Sequence, residues 1–386
     1  MWSALALLGA CASPAPAPAL PPPAYVEPGP VAPSPAPLPA PSAAPPAASA
    51  EAPPKPKLPA PPPPEERAAP NGLARGTAEP ADKELGLGDL AYDAEKYKEA
   101  RQHYKKAEQL APKDPAPKVG LVRVSVAEAD LPLDYASAPK DARIPPLVQK
   151  LEAALKLDAE YGPALLELGQ LLLIQGKAEQ ATSMLTKGAQ LLPTHAEAQS
   201  AVGVALVAVG RTSEALPYFE RAASLDRDNP DRLGNLGAAY LLQGRTPDAV
   251  TAFEKAALLA PNEARYQSDL GTAYLAQNRL DRALPALKRA VDLDPKRASY
   301  LSNLSYAYQL GADYDRGLGT AEQATLLDPK LGSAWLNLGT ARAKRGELDL
   351  AEAAFKKALA LDPEDPRAKA NLEELAELRS KKSKAP

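Results

Sequence analysis

The chain reads as an all-α protein. It is a superhelical solenoid of helix–turn–helix repeats that follows a disordered Pro/Ala-rich N-terminal segment. Three observations predict this. Prolines crowd the first eighty residues of the 386, where Pro, Ala and Ser leave almost no large apolar side chain to build a core. From there on Ala, Leu, Glu and Lys dominate and aromatics are few, a helical composition. From Ala81 the sequence resembles itself with a 34-residue period.

The first element is residues 1–11, which ends Leu5-Ala6-Leu7-Leu8-Gly9-Ala10-Cys11. A short apolar run meets small residues and then a thiol. This resembles the end of a bacterial lipoprotein signal, and the resemblance implies a diacylglycerol on Cys11. It also implies an outer-membrane lipoprotein facing the periplasm, because Ala12 rather than Asp follows the cysteine. No Lys or Arg precedes Cys11, which departs from the usual basic start. The alternative is a soluble intracellular chain without a lipid.

Residues 12–80 are a linker, with stretches such as Pro61-Pro62-Pro63-Pro64. Such chains favour polyproline II at ~3.1 Å per residue, so this one could reach on the order of 200 Å. It is expected to act as a semi-rigid spacer.

Residues 81–365 divide into eight copies: 81–114, 115–161, 162–195, 196–229, 230–263, 264–297, 298–331 and 332–365. The last carries Trp335, Leu338, Gly339, Ala351, Phe355, Ala358 and Pro363. The fifth carries Leu236, Gly237, Tyr240, Ala249, Phe253, Ala256 and Pro261, and the first Leu87, Gly88, Ala100, Tyr104, Ala107 and Pro112. Leu and Tyr recur at i, i+3/i+4 and i+7, one face of a helix. Gly at the eighth position, with Ala at the twentieth and twenty-seventh, lets two antiparallel helices approach closely. The terminal Pro stops the second helix. Pro247, Pro217 and Pro285 fall in or near the first turn of their helices, where a missing N–H costs little.

Each copy resembles the tetratricopeptide repeat, a helix–turn–helix unit that stacks into a superhelix and binds proteins on its concave face. Two copies depart from the pattern. The second carries a surplus at 131–143, which predicts a surface insertion. The seventh has Gly317 and Gly319 in its second helix and Ala321 where an aromatic is usual. Each Gly costs ~1 kcal/mol against Ala in a helix interior, which predicts a weak point or bend. Residues 366–379, with Leu372, Leu375 and Leu378, are expected to form a capping helix before a basic tail at 380–386.

The resemblance places positions two, five, six, nine and twelve of each copy on the concave face. The sixth positions of copies five to eight are Asn235, Asp269, Asn303 and Asn337, with Thr272, Tyr306, Gln309 and Thr340 nearby. This series is similar to the asparagine ladder of the O-GlcNAc transferase repeat superhelix, which implies a grip on extended peptide backbone. A carboxamide both donates and accepts, whereas an ionised Asp269 can only accept. Leu85 and Asp89 stand where the chaperone-binding clamp of some repeat proteins needs Lys and Asn, so that reading is excluded.

No catalytic function is expected. One cysteine and two histidines, His103 and His195 in different copies, assemble neither a metal site nor a nucleophile–base pair. His195 is expected in a solvated turn. No Gly-rich loop is present to cradle a phosphate, so no cofactor is implied. The net charge of −3 carries no nucleic-acid footprint. The expected partners are other proteins or extended peptide segments, with a membrane reached through a lipid on Cys11. In layout the chain resembles the repeat lipoproteins that help assemble type IV pilus secretins, which implies a scaffold for a multiprotein complex.

Overall fold

The computed structural model describes residues 72–129 and 141–383. Cys11, the linker up to residue 71 and most of the 131–143 insertion lie outside the described residues. Those described form 17 helices and no strand. In chain order the pairs are α1 (Pro80–Asp93) with α2 (Tyr97–Leu110), α3 (Ala116–Ala129) with α4 (Ile144–Leu157), and α5 (Gly162–Ile174) with α6 (Ala178–Leu191). Then come α7 (Ala196–Ala208) with α8 (Thr212–Leu225), α9 (Pro230–Leu242) with α10 (Thr246–Leu259), and α11 (Ala264–Ala276) with α12 (Leu280–Leu293). The last are α13 (Ala298–Leu310) with α14 (Tyr314–Leu327), α15 (Gly332–Lys344) with α16 (Leu348–Leu361), and finally α17 (Pro366–Ser383). The substantial contacts of each helix are with its hairpin partner and with helices of the adjacent pairs. That is nearest-neighbour architecture, in which stability sums over repeats and their interfaces.

The hairpin is built on one tight contact. A Cβ added to Gly237 would stand 2.8 Å from the Phe253 ring, and one at Gly203 2.7 Å from Phe219. Gly339 faces Phe355, Gly88 faces Tyr104, and Gly169 and Gly271 face Leu185 and Leu287. These partners are among the most buried side chains of the fold. Bulk on the second helix therefore fills the notch that glycine leaves on the first.

The turn is equally regular in every hairpin except the second, whose connection lies largely outside the described residues. One residue takes a positive φ: Glu95, Gly176, Gly210, Gly244, Asn278, Ala312 and Gly346. The next residue donates its N–H five positions back, as from Arg245 to Tyr240 O at 2.9 Å and from Asp313 to Tyr308 O at 2.9 Å. This is the Schellman closure, which satisfies carbonyls the helix end would otherwise leave open. Between repeats, Asp158, Asp294, Asp328 and Asp362 end second helices, and each carboxylate accepts the N–H two residues on. At Asp294, Asp328 and Asp362 a proline follows, so the Asp-Pro pair is a stop and a turn at once. Pro217 and Pro285 lie inside continuous helices, as their place near the first turn allows.

The seventh hairpin replaces the apolar plug with a polar one. Ser305 stands where six other hairpins have glycine, and its hydroxyl donates to Gly317 O at 2.7 Å. Gln309 donates to Ser305 Oγ and to Asn337 O, each at 3.0 Å, beside the small Ala321. A Cβ on Gly317 would meet Gln309 Cγ at 2.9 Å. The glycine is therefore an accommodation, and α14 runs unbroken through it in place of the expected bend. Gly319 faces open space.

Four expectations need correction. Leu87, read as a packing residue, is 46% exposed. Its position packs against a preceding repeat, and none of the described helices precedes α1. Residues 73–77, read as linker, pack on α1, with Leu73 only 3% exposed. The final helix runs to Ser383, four residues past Arg379, because Lys and Ser do not break it. Leu378, assigned to its packing stripe, is 42% exposed. Its neighbour Arg379 already pairs with Asp349 and Glu352 in the first turn of α16, so the partner helix ends there.

The close-approach account is tested by three substitutions. Gly237→Val should destabilise by ~1–3 kcal/mol through overpacking against Phe253. Ala312→Gly, which relieves a left-handed alanine, and Gly319→Ala, which stiffens an unobstructed helix position, should each stabilise by about 0.5–1 kcal/mol. Urea unfolding of the three variants checks the signs.

Candidate protein-binding face

The first helices of successive pairs lie side by side, and a line of polar contacts joins them. At the N-terminal end the joins are ionic. Arg123 on α3 donates to Glu167 on α5 at 2.6 Å, with both side chains under 10% exposed. Gln170 donates to Glu197 on α7 at 3.0 Å, and Arg232 on α9 pairs with the same carboxylate. Arg265 and the Tyr266 hydroxyl on α11 donate to Asp231 on α9, at 2.5 and 2.8 Å.

From α9 onward a second series joins amide to serine. Asn235 donates to Ser200 Oγ at 2.8 Å and Asn303 to Ser268 Oγ at 3.1 Å. Asn337 donates to Ser302 O at 2.8 Å and to Ser302 Oγ at 3.1 Å. In each case the sixth position of one repeat reaches the fifth position of the repeat before, 35 residues upstream. Asp269 stands in the same place but faces a repeat whose fifth position is Gly234. Its Oδ2 is buried without a hydrogen-bond partner. Burial pushes its carboxyl up to about 7, with Arg265 offsetting only part of the shift.

These contacts place the eight sequence-predicted residues. Asn235 is fully buried and Gln309 is 8% exposed, so both sit between helices. The hydroxyls of Thr272 and Thr340 donate back into their own helices, to Ser268 O at 2.9 Å and Leu336 O at 3.0 Å. Asn303, Asn337 and Asp269 are half-buried. Tyr306 is 41% exposed and makes no side-chain hydrogen bond to the described residues. One turn on, Leu310 is 45% exposed. The accessible patch on repeats six to eight is therefore Tyr306 and Leu310, edged by Asn303, Asn337 and Thr272.

The histidines have structural roles. His195 Nδ1 accepts the Ala198 N–H at 3.2 Å and caps α7. Burial, then Arg123 and Arg232, lowers its pKa to about 4, so the ring stays neutral and able to accept. The expected solvated turn residue is thus a half-buried cap. His103 Nδ1 lies 2.8 Å from Glu84 Oε2. Among the described residues no group of three His, Cys, Asp or Glu stands together to hold a metal, and no helix is long and apolar enough to cross a membrane.

Comparison with known proteins agrees with this geometry. Tetratricopeptide-repeat models match residues 72–115, 206–272, 268–312 and 332–365. A subunit in the crystal structure of the APC/C hetero-tetramer Cut9-Hcn1 aligns with a TM-score of 0.58 at 16% identity, over 78% of this chain. The chain spans 57% of that longer protein. A tetratricopeptide repeat protein from Parabacteroides merdae aligns with a TM-score of 0.53 at 14% identity, over 66% of this chain and 98% of its own. No curated protein matches significantly in sequence. The chain carries tetratricopeptide repeats, and its described residues form a tetratricopeptide-repeat solenoid. This is the fold of a protein–protein interaction scaffold.

The raised pKa of Asp269 gives a signed prediction. In the unfolded chain the group titrates near 3.8, and in the folded chain at about 7. Stability is therefore expected to fall as pH rises between these values and to level off above the upper one. In thermal melts, Asp269→Asn should gain over the wild type above pH ~7, and the gain should shrink toward pH ~4. A pH-independent difference would contradict the assignment.

Proposed function

We propose that the chain is a scaffold that binds peptide segments of other proteins on the first-helix face of repeats five to eight. In this reading it is a lipoprotein of the bacterial envelope, held by a lipid on Cys11, and it supports assembly of a multiprotein complex. Tyr306 carries the binding reading: it is an exposed aromatic on the inner helix row, free of internal hydrogen bonds and flanked by half-buried carboxamides. Aromatic anchors of this kind dominate protein interfaces. Asn303 and Asn337 already spend N–H donors on the preceding repeat. What they offer a ligand is chiefly carbonyl oxygen, which suits peptide N–H groups. The anchor reading is supported by Leu8-Gly9-Ala10-Cys11 and by the Pro/Ala stretch that follows.

The geometry dictates which variant is informative. Replacing the asparagines removes joints between repeats and would weaken the fold along with any binding. Tyr306→Ala leaves those joints intact. It should lower affinity for a captured partner by about tenfold or more with an unchanged melting temperature. Unchanged affinity would remove this face from the interface.

Palmitate labelling in cells tests the anchor. Wild type should take up label and Cys11→Ala should not. An unlabelled wild-type chain in the soluble fraction would instead support the intracellular adaptor.

A further inference from the structure

The residues just before α1 are held like a bound peptide. Gly76, at φ +73°, folds the chain back so that residues 73–75 run against α1. The contacts are made by side chains rather than by regular secondary structure. Asp89 Oδ2 accepts the N–H groups of Leu73 at 2.6 Å and Ala74 at 2.9 Å. Asp82 accepts those of Arg75 at 2.7 Å and Thr77 at 2.5 Å. The Arg75 guanidinium makes a two-pronged pair with Asp114, at 2.7 and 2.9 Å, and lies 5.7 Å from the centre of the Tyr161 ring. Leu73 is buried, whereas Arg75 is exposed.

The position of these contacts is informative. Asp82, Gly86 and Asp89 are the second, sixth and ninth residues of the first repeat. The same positions carry Arg265, Asp269 and Thr272 in repeat six, and Ser299, Asn303 and Tyr306 in repeat seven. Where repeats five to eight have a carboxamide or carboxylate, the first has glycine, and a Cβ there would lie 3.7 Å from Ala74 Cβ. The chain's own segment therefore lies on the inner helix face, over Gly86.

Each recognition element is separable. Two carboxylates count backbone N–H groups, Ala74 lies over Gly86, Asp114 and Tyr161 select a guanidinium, and one buried place takes Leu73. Burial holds the Asp89 carboxyl above its ordinary range, and three N–H or O–H donors, from Ala74, Tyr104 and Leu73, offset only part of that. Burial would also raise Asp82, but the N–H groups of Arg75 and Thr77 outweigh it and hold the group ionised.

We propose that this is a second peptide site, on repeats one and two, for an extended apolar–small–Arg segment. Leu73-Ala74-Arg75 occupies it as a tethered ligand that the same motif on a partner protein displaces. Only Leu73 of residues 72–79 is buried, so release exposes little apolar surface. The proposal is independent of the Tyr306 face, and failure of either leaves the other standing.

The test uses the full chain and a fluorescent peptide with the sequence of residues 72–77, read by anisotropy. A tether gives the chain's own segment a high effective concentration, so wild type should bind the free peptide weakly. Leu73→Asp combined with Arg75→Ala should raise affinity for the peptide by about tenfold or more. Arg75→Ala alone alters only an exposed side chain and should raise it by about threefold. Adding Asp114→Asn should abolish the gain. The proposal is overturned if variants with wild-type circular dichroism bind no tighter than wild type. Equal binding by all chains, Asp114→Asn included, also overturns it, because the peptide then lands elsewhere.

Discussion

The contact between a glycine on the first helix and a large side chain on the second is the constraint on which the rest depends. It fixes how closely the two helices of a hairpin lie, and with that how deep the Phe, Tyr or Leu plug sits. Six hairpins meet it directly through Gly88, Gly169, Gly203, Gly237, Gly271 and Gly339. The seventh shows what must change when it is broken. A hydroxyl in the notch brings a small Ala321 opposite, a glycine at 317 and an inward Gln309 to fill the gap. Four positions change together because they share one volume.

Stacking then requires that the first helices meet one another. Their side chains there are polar, and the chain satisfies them in series, by ion pairs up to Asp231 and by Asn–Ser joints beyond. Such joints contribute modestly when made and cost more when half-made. That asymmetry explains why Asp269 is the conspicuous defect. It keeps the ladder position but loses its partner to Gly234, and burial without a donor shifts its titration.

Much of the fold was legible in the sequence, because period and glycine placement act locally. The helix-pair spacing, the stop at each Asp-Pro and the tolerance of Pro217 and Pro285 follow from spacing and backbone chemistry. The face assigned to binding was legible only in part. The sequence shows what the asparagine amides can do to a ligand, yet their donors point to the preceding repeat. Ser200, Ser268 and Ser302, each 35 residues upstream, were the available signal, and Gly234 marked the exception. His195 lay beyond reach because a capping imidazole has no spacing signature. The 73–77 segment was hidden by the composition boundary drawn at residue 80, although Gly86 at a ladder position was visible.

What emerges is a scaffold whose inner helix row is both its seam and its proposed interface, with one end covered by the chain's own peptide. A photo-crosslinking scan of the full chain in its native cells tests that claim most directly. Crosslinkers at Tyr306 and Leu310 should capture a partner, and crosslinkers at the second-helix positions Leu258 and Leu326, about 80% exposed, should not. Capture from Leu258 and Leu326, with none from Tyr306 and Leu310, would contradict it.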